Sequence, residues 1–268
     1  METKLNYKEL NKISWNQCTP SHVTSEFYDN QSFIEGRNSL NSIELDLLGD
    51  LKGKSVLHLQ CHFGQDTISL TRLGAEAVGI DLSDKAIESA QQLAEQTNSN
   101  AQFICSDVYE LPQHLNQQFD VVYTSYGVIG WLPDMDKWAA VIAQFLKPGG
   151  KFVFVEFHPV VWMFDEDFSK VGYNYFNDGP IEEVWEGSYA AREATYSHKI
   201  VTWNHSMSEV IGSLLKQGLQ LNNLQEFDYS PYNCFNKTIE IAPNQFRIEH
   251  LDNKIPMVYA LTASKPKA

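Results

Sequence analysis

The chain has 268 residues, 43% of them hydrophobic, and a formal net charge of −14. That length and apolar content suit one sizeable α/β core, and neither a Gly/Ser linker nor an internal repeat divides the chain. So acidic a surface argues against nucleic acid and anionic membrane as partners.

Met1 is followed by the polar residues Glu2, Thr3, Lys4 and Asn6, and no apolar run is long enough to span a bilayer. Cys18, Cys61, Cys105 and Cys234 are scattered and form no C-x-x-C pair. The expectation is a cytoplasmic protein without a signal peptide, a disulfide framework or a metal site.

Residues 1–50 read as a helical lid, with Trp15, Phe27, Tyr28 and Phe33 too apolar for a solvated tail and Leu40, Ile43, Leu47 and Leu48 at helical spacing. Strands and helices then alternate. Ser55–Gln60 predicts a strand and Gly64–Leu73 a helix stopped at Gly74. Ala77–Ile80 predicts a strand ending in Asp81, and Ser83 caps a helix over Asp84–Gln96. Ala101–Cys105 and Phe119–Ser125 predict the third and fourth strands. Asp136–Leu146 predicts a helix, Lys147-Pro148-Gly149-Gly150 a turn, and Lys151–Phe157 a fifth strand.

After Glu156 the alternation breaks. Residues 158–205 are rich in aromatics and turn formers and predict a cap insert with some antiparallel strand. Regular elements return with a helix over Ser208–Lys216 and a strand over Leu219–Asp228. Residues 229–250 predict a second cap loop, and Pro256–Ser264 a last strand. Near-continuous apolar strands alternating with helices predict a doubly wound, mostly parallel sheet covered on both faces.

The most informative stretch runs from Val56 to Asp81: a strand, the turn Gln60-Cys61-His62-Phe63-Gly64, a helix, and a second strand ending in an acid. In such folds the first turn lies at the carboxyl edge of the sheet, where ligands bind, and an acid at that second strand end can accept hydrogen bonds from ribose hydroxyls. Nicotinamide enzymes share this signal. Further on, Asp107 follows the third strand, Phe119-Asp120-Val121-Val122-Tyr123 forms the fourth, and Leu146-Lys147-Pro148-Gly149-Gly150 precedes the fifth.

Taken together and in this order, these pieces resemble the class I S-adenosylmethionine (SAM)-dependent methyltransferases over about residues 36–157. The resemblance implies a seven-stranded Rossmann-like domain over 1–268 and SAM as cofactor. It places Asp81 on the ribose, Asp107 and Val108 on the adenine, and His58, Gln60, Cys61, Gly64, Asp66, Leu82 and Tyr126 around the cofactor. Arg37 stands where some members pair an arginine with the SAM carboxylate. The family's first loop usually reads D-x-G-x-G-x-G. Here those positions are His58, Gln60, His62 and Gly64, so only the last glycine remains. The stretch His58–Asp66 is similar to that of a largely uncharacterised branch, and implies a modified site.

Acceptor-site candidates come from loops at the carboxyl edge. Trp15, Tyr28, Trp131, Trp162, Trp203 and Tyr232 are expected to wall a closed small-molecule pocket, with Tyr126, Asp134, Glu156 and Asn204 nearby. His158 and His205 are the expected general bases, should the acceptor carry a proton. His58 and His62 read as loop-packing histidines rather than a metal pair. Two other readings stay open: a SAM-binding protein without transfer activity, and a nicotinamide oxidoreductase, which the absent G-x-G-x-x-G spacing disfavours.

Overall fold

A computed structural model describes residues 6–267; residues 1–5 of the expected lid lie outside them. The elements run α1 (Tyr7–Val23), α2 (Asn30–Ile34), α3 (Ser42–Leu48), β1 (Ser55–Leu59), α4 (Gln65–Arg72), β2 (Glu76–Asp81), α5 (Asp84–Gln96), β3 (Gln102–Cys105), β4 (Phe119–Ser125), α6 (Met135–Phe145) and β5 (Leu146–Phe157). The hairpin β6 (Ile181–Glu186) and β7 (Ser197–Thr202) follows, then α7 (Met207–Lys216), β8 (Gln220–Phe227), the hairpin β9 (Thr238–Ala242) and β10 (Gln245–Ile248), and β11 (Val258–Ser264).

Seven strands form one sheet in the order β3-β2-β1-β4-β5-β11-β8. The strands from β3 to β5 are parallel, whereas β11 is antiparallel to both β5 and β8. Burial on both faces explains the consecutive apolar residues in the middle of the central strands: Val121, Val122, Tyr123, Phe152, Val153, Phe154 and Val155 are all almost fully inaccessible. The edge strand β8 alternates with Gln, Asn and Glu and is largely exposed. Helix starts follow the capping residues: Ser83 Oγ accepts from the Ala86 N–H at 3.0 Å, and Asp134 accepts from the Lys137 N–H at 3.0 Å.

One local expectation fails. Leu146–Gly150 is no free turn but the bulged start of β5: Leu146 pairs with Phe119, and the register shifts before Val121. Gly149 takes a φ of 79° and donates to Lys265 O at 2.8 Å, while Gly150 O accepts from Lys265. A Cβ at Gly150 would lie 2.9 Å from Lys147 O, so the close approach of backbones, rather than a turn, requires glycine there. Among the described residues no helix is long and apolar enough to cross a membrane.

Candidate active site

The turn from β1 into α4 keeps a glycine-type backbone without the glycines. Gln60 and His62 hold φ of 56° and 50°, and Gly64 holds 84°. For an L-residue the left-handed region costs roughly 1–2 kcal/mol, so surrounding bonds must impose it. Cys61 N–H donates to Ile80 O at 2.8 Å, His62 N–H to Asp81 Oδ2 at 2.8 Å, and Gln60 Nε2 to Val128 O at 2.8 Å. Gln60 Oε1 is buried and has no protein partner.

These residues line one large cavity of about 960 Å³ at the carboxyl edge of the parallel strands. Its lining includes Arg37, His58, Gln60, Cys61, Gly64, Asp66, Asp81, Leu82, Asp107, Val108 and Tyr126, the residues expected around the cofactor. Asp81 also takes the Ser83 N–H on Oδ1 at 2.9 Å, and burial pushes its carboxyl up to about 6. Asp107 Oδ1 accepts from the Tyr109 N–H at 2.7 Å, and Oδ2 lies 3.3 Å from Lys8 Nζ. Arg37 is fixed by bonds from Nη2 to Tyr28 O at 2.6 Å and from Nε to Ser32 Oγ at 2.8 Å. His58 Nδ1 lies 2.8 Å from Thr67 Oγ1, and burial lowers its imidazole to about 3, so the ring is neutral. Asp66 accepts from Ser125 Oγ at 3.4 Å and is also raised by burial. Tyr126 OH donates to Glu44 Oε2 at 3.1 Å.

The far end of the cavity is built by the three aromatic segments. Asn11 of α1 exchanges two bonds with Val201 of β7, at 2.8 and 2.9 Å. The hydroxyls of Tyr28 and Tyr189 meet at 2.5 Å, and Arg192 Nη2 donates to Asn233 O and Phe235 O. Phe235 in turn packs on Phe157, Trp162 and Phe168. Trp15, Tyr28, Trp131, Trp162, Trp203 and Tyr232 all line the cavity, with Trp15 edge-on to Trp131 at 5.2 Å between centroids. Wetting these rings would cost about 25 cal/mol per Å², which is why the segments close on one another rather than extend into solvent. Trp185, Tyr7 and Tyr189 also line it, and composition gave no sign that they in particular would face inward.

The two expected bases are not in this cavity. His158 packs against Tyr259, lies 2.9 Å from the Glu226 carboxylate, and takes the Val160 N–H on Nδ1. His205 Nε2 donates to Leu132 O at 2.7 Å while Nδ1 lies 3.1 Å from Glu209. Neither histidine lines the cavity, and the protein contacts of each hold its ring elsewhere, against the expectation that they face the acceptor. Glu156 and Phe157 line the cavity, whereas His158, just past the end of β5, is held toward β8 and β11 by its N–H bond to Met257 O and by Glu226. Asp134 is likewise spent as the α6 cap. Glu156, almost fully buried, accepts from the N–H groups of Gly127, Val128, Ile129 and Phe157, and so anchors the loop after β4.

A different histidine does face the cavity. His62 lines it, and its Nε2 lies 3.0 Å from Nδ1 of the fully buried His22, whose Nε2 lies 2.8 Å from Ser188 Oγ. His22 and His62 are 40 residues apart, and no sequence spacing announces the pair.

Residues 56–150 match the family model described as a methyltransferase domain. The fold is that of the class I SAM-dependent methyltransferases. A structure of a SAM-dependent methyltransferase from Mesorhizobium loti is similar with a TM-score of 0.58 at 21% identity, covering 86% of this chain and 99% of that one. Another, from Clostridium acetobutylicum, has a TM-score of 0.58 at 16% identity, covering 96% and 99%. Ubiquinone biosynthesis O-methyltransferase of Coxiella burnetii is 35% identical over 104 residues, 39% of this chain and 44% of that protein. The chain thus matches less than half the length of that relative. The Bordetella avium protein of the same name is 24% identical over 217 residues, covering 79% and 82%.

Proposed function

We propose that this protein is a SAM-dependent methyltransferase whose acceptor is a small molecule held in the capped cavity. The observation that carries this reading is the single cavity itself: ribose- and adenine-type acceptors at one end, an aromatic wall at the other, and about 960 Å³ between them. Ligand pockets run to about 300–1,000 Å³, so the space takes a cofactor together with a small acceptor, while folded protein or duplex nucleic acid has no entry. The net charge of −14 also disfavours nucleic acid. A chain with four free cysteines and no disulfide among the described residues fits a reducing cytoplasm.

The residues at the first end fit SAM by their chemistry. Asp81 would accept both ribose hydroxyls, since each carboxylate oxygen keeps a lone pair beyond its backbone bond. Asp107 would accept from the adenine amino group, with the Val108 N–H to the ring. Arg37 would pair with the methionyl carboxylate, and the unpartnered Gln60 Oε1 would accept from its ammonium. When bound, the cofactor supplies an electrophilic methyl on a sulfonium. The chain supplies approach geometry and exclusion of water, through the lid formed by α1, the β6–β7 hairpin and the loop before β9.

Calorimetry with SAM, S-adenosylhomocysteine and NAD tests the cofactor. Binding of NAD but not SAM would favour an oxidoreductase. Transfer of labelled methyl from SAM to the dialysable fraction of a cell extract tests the activity, and SAM binding with no labelled product would leave a SAM-binding protein without transfer.

A further inference from the structure

We propose that His62, backed by His22 and Ser188, is the proton acceptor of the reaction, and that the substrate is therefore a neutral hydroxyl compound that loses a proton as it is methylated. This rests on the methyltransferase reading above and deepens it.

The three side chains admit a proton arrangement that leaves a lone pair on the cavity side, and we adopt this one. Only one proton fits between His62 Nε2 and His22 Nδ1 at 3.0 Å. Ser188 Oγ, 2.8 Å from His22 Nε2, can accept from it. With that proton on His22 Nε2, His22 Nδ1 is bare and accepts from the His62 Nε2–H. His62 Nδ1 is then bare as well. That nitrogen makes no hydrogen bond among the described residues, and His62 lines the cavity. The chain thus offers the acceptor a free imidazole lone pair whose opposite edge is held by a second histidine. The residue stands beside the expected ribose ligand, since its backbone N–H donates to Asp81.

The His62 ring packs against Trp15, His22, Tyr28 and Phe63, and it does so from a strained backbone. The loop needs a left-handed residue here, and the ring stands on a backbone of φ 50° that glycine would take without strain. Burial keeps both imidazoles uncharged, His22 near 4 and His62 well below its ordinary value, so both are in the accepting state at neutral pH. The other titratable groups around His62 are Tyr28, whose ring centroid is 5.6 Å away, the neighbouring Cys61, and Asp81 through the backbone bond.

The step balances. The bond from the acceptor's hydroxyl oxygen to the methyl carbon forms as the carbon–sulfur bond breaks, and that electron pair stays on sulfur. The acceptor's proton, made strongly acidic by the new bond, passes to His62 Nδ1. The resulting imidazolium donates from Nε2 to His22 and gives up its proton after product leaves. His22 and Ser188 are positioning residues.

Two experiments test this. Imidazole ¹⁵N NMR of the wild-type protein is expected to show His62 and His22 each protonated on Nε2 and bare on Nδ1; a proton on His62 Nδ1 would overturn the proposal without any assay of turnover. Second, His62→Gly restores the glycine the loop accommodates, so SAM affinity should stay within about threefold. Methyl transfer to the dialysable extract fraction should fall by roughly a hundredfold or more, and added free imidazole should restore part of it. His62→Gln, which keeps a hydrogen-bonding side chain but takes no proton, should lose as much. Undiminished transfer by His62→Gly, or its loss together with SAM affinity in both variants, makes His62 structural and overturns the proposal. Wild-type protein that binds no SAM or transfers no label overturns the methyltransferase reading, and the proposal with it.

Discussion

Asp81 gives the reading of the cofactor end its sharpest test, because its carboxyl titrates within reach of ordinary buffers. Burial holds it up to about 6 in the free protein, against 3.8 for an unperturbed aspartate. The ribose hydroxyls should prefer the carboxylate, which accepts on both oxygens, so bound cofactor pulls the carboxyl back down. SAM binding is then coupled to loss of a proton wherever the free site is protonated. At about pH 7 the free site is almost wholly ionised and the penalty is small. At about pH 5 it is ionised in roughly one molecule in ten, and SAM affinity should be about tenfold weaker, near 1.4 kcal/mol. Calorimetry across that range checks this, with Asp81→Asn as the control: affinity should drop at every pH, and the pH dependence should vanish. His22, lowered by burial to about 4, titrates below this window, and burial also lowers His62. An affinity that is flat with pH, or equally steep in Asp81→Asn, would refute the ribose assignment. The same raised carboxyl costs the free protein stability as pH rises from about 4 through about 6, so thermal shifts should compare SAM-bound with free protein at each pH.

Three further outcomes follow from the geometry. Gly64→Ala should destabilise the fold by about 2–4 kcal/mol, measured by denaturant unfolding, because its φ is 84° and a Cβ would meet the Phe103 ring at 2.6 Å and Ala90 at 2.9 Å. His158→Asn and His205→Asn should lower the melting temperature and leave methyl transfer within a few-fold of wild type; a loss of about a hundredfold at unchanged stability would return the base to one of them. Glu44 is fully buried and its carboxyl is pushed up to about 7, first by burial and then by Asp66. Stability should therefore fall as pH rises from about 4.5 through about 7, and Glu44→Gln should flatten that slope in pH-dependent unfolding, an unchanged slope counting against the assignment.

Much of the cofactor end is legible in the sequence because it depends on short-range order. An acid at the end of an apolar strand reaches the carboxyl edge wherever that strand is parallel and central, so Asp81 and Asp107 are placed by strand periodicity alone. The loop from Gln60 to Gly64 is legible in position but not in shape. Its missing glycines suggest lost left-handed freedom, whereas bonds from Asp81, Ile80 and Val128 hold Gln60 and His62 in that region regardless. The bulge at Gly149 and Gly150 similarly needs its partners on β4 and after β11.

What the sequence by itself determined is the alternation of strands and helices, the acids at strand ends, and the presence of three aromatic-rich segments needing burial. Each follows from local periodicity or composition, which a few neighbouring residues suffice to express. Only the tertiary structure decided which histidine meets the cavity. His158 and His205 stand at the expected chain positions, but Glu226 of β8 and the Leu132 carbonyl of the loop after β4 hold them away from the cavity. His62 gains its partner from α1, 40 residues earlier, and that partner is held from Ser188, 166 residues beyond it. Pairings at such separations depend on how the lid and the cap settle on the sheet edge, and that is fixed by burial of the whole aromatic surface, not by any motif.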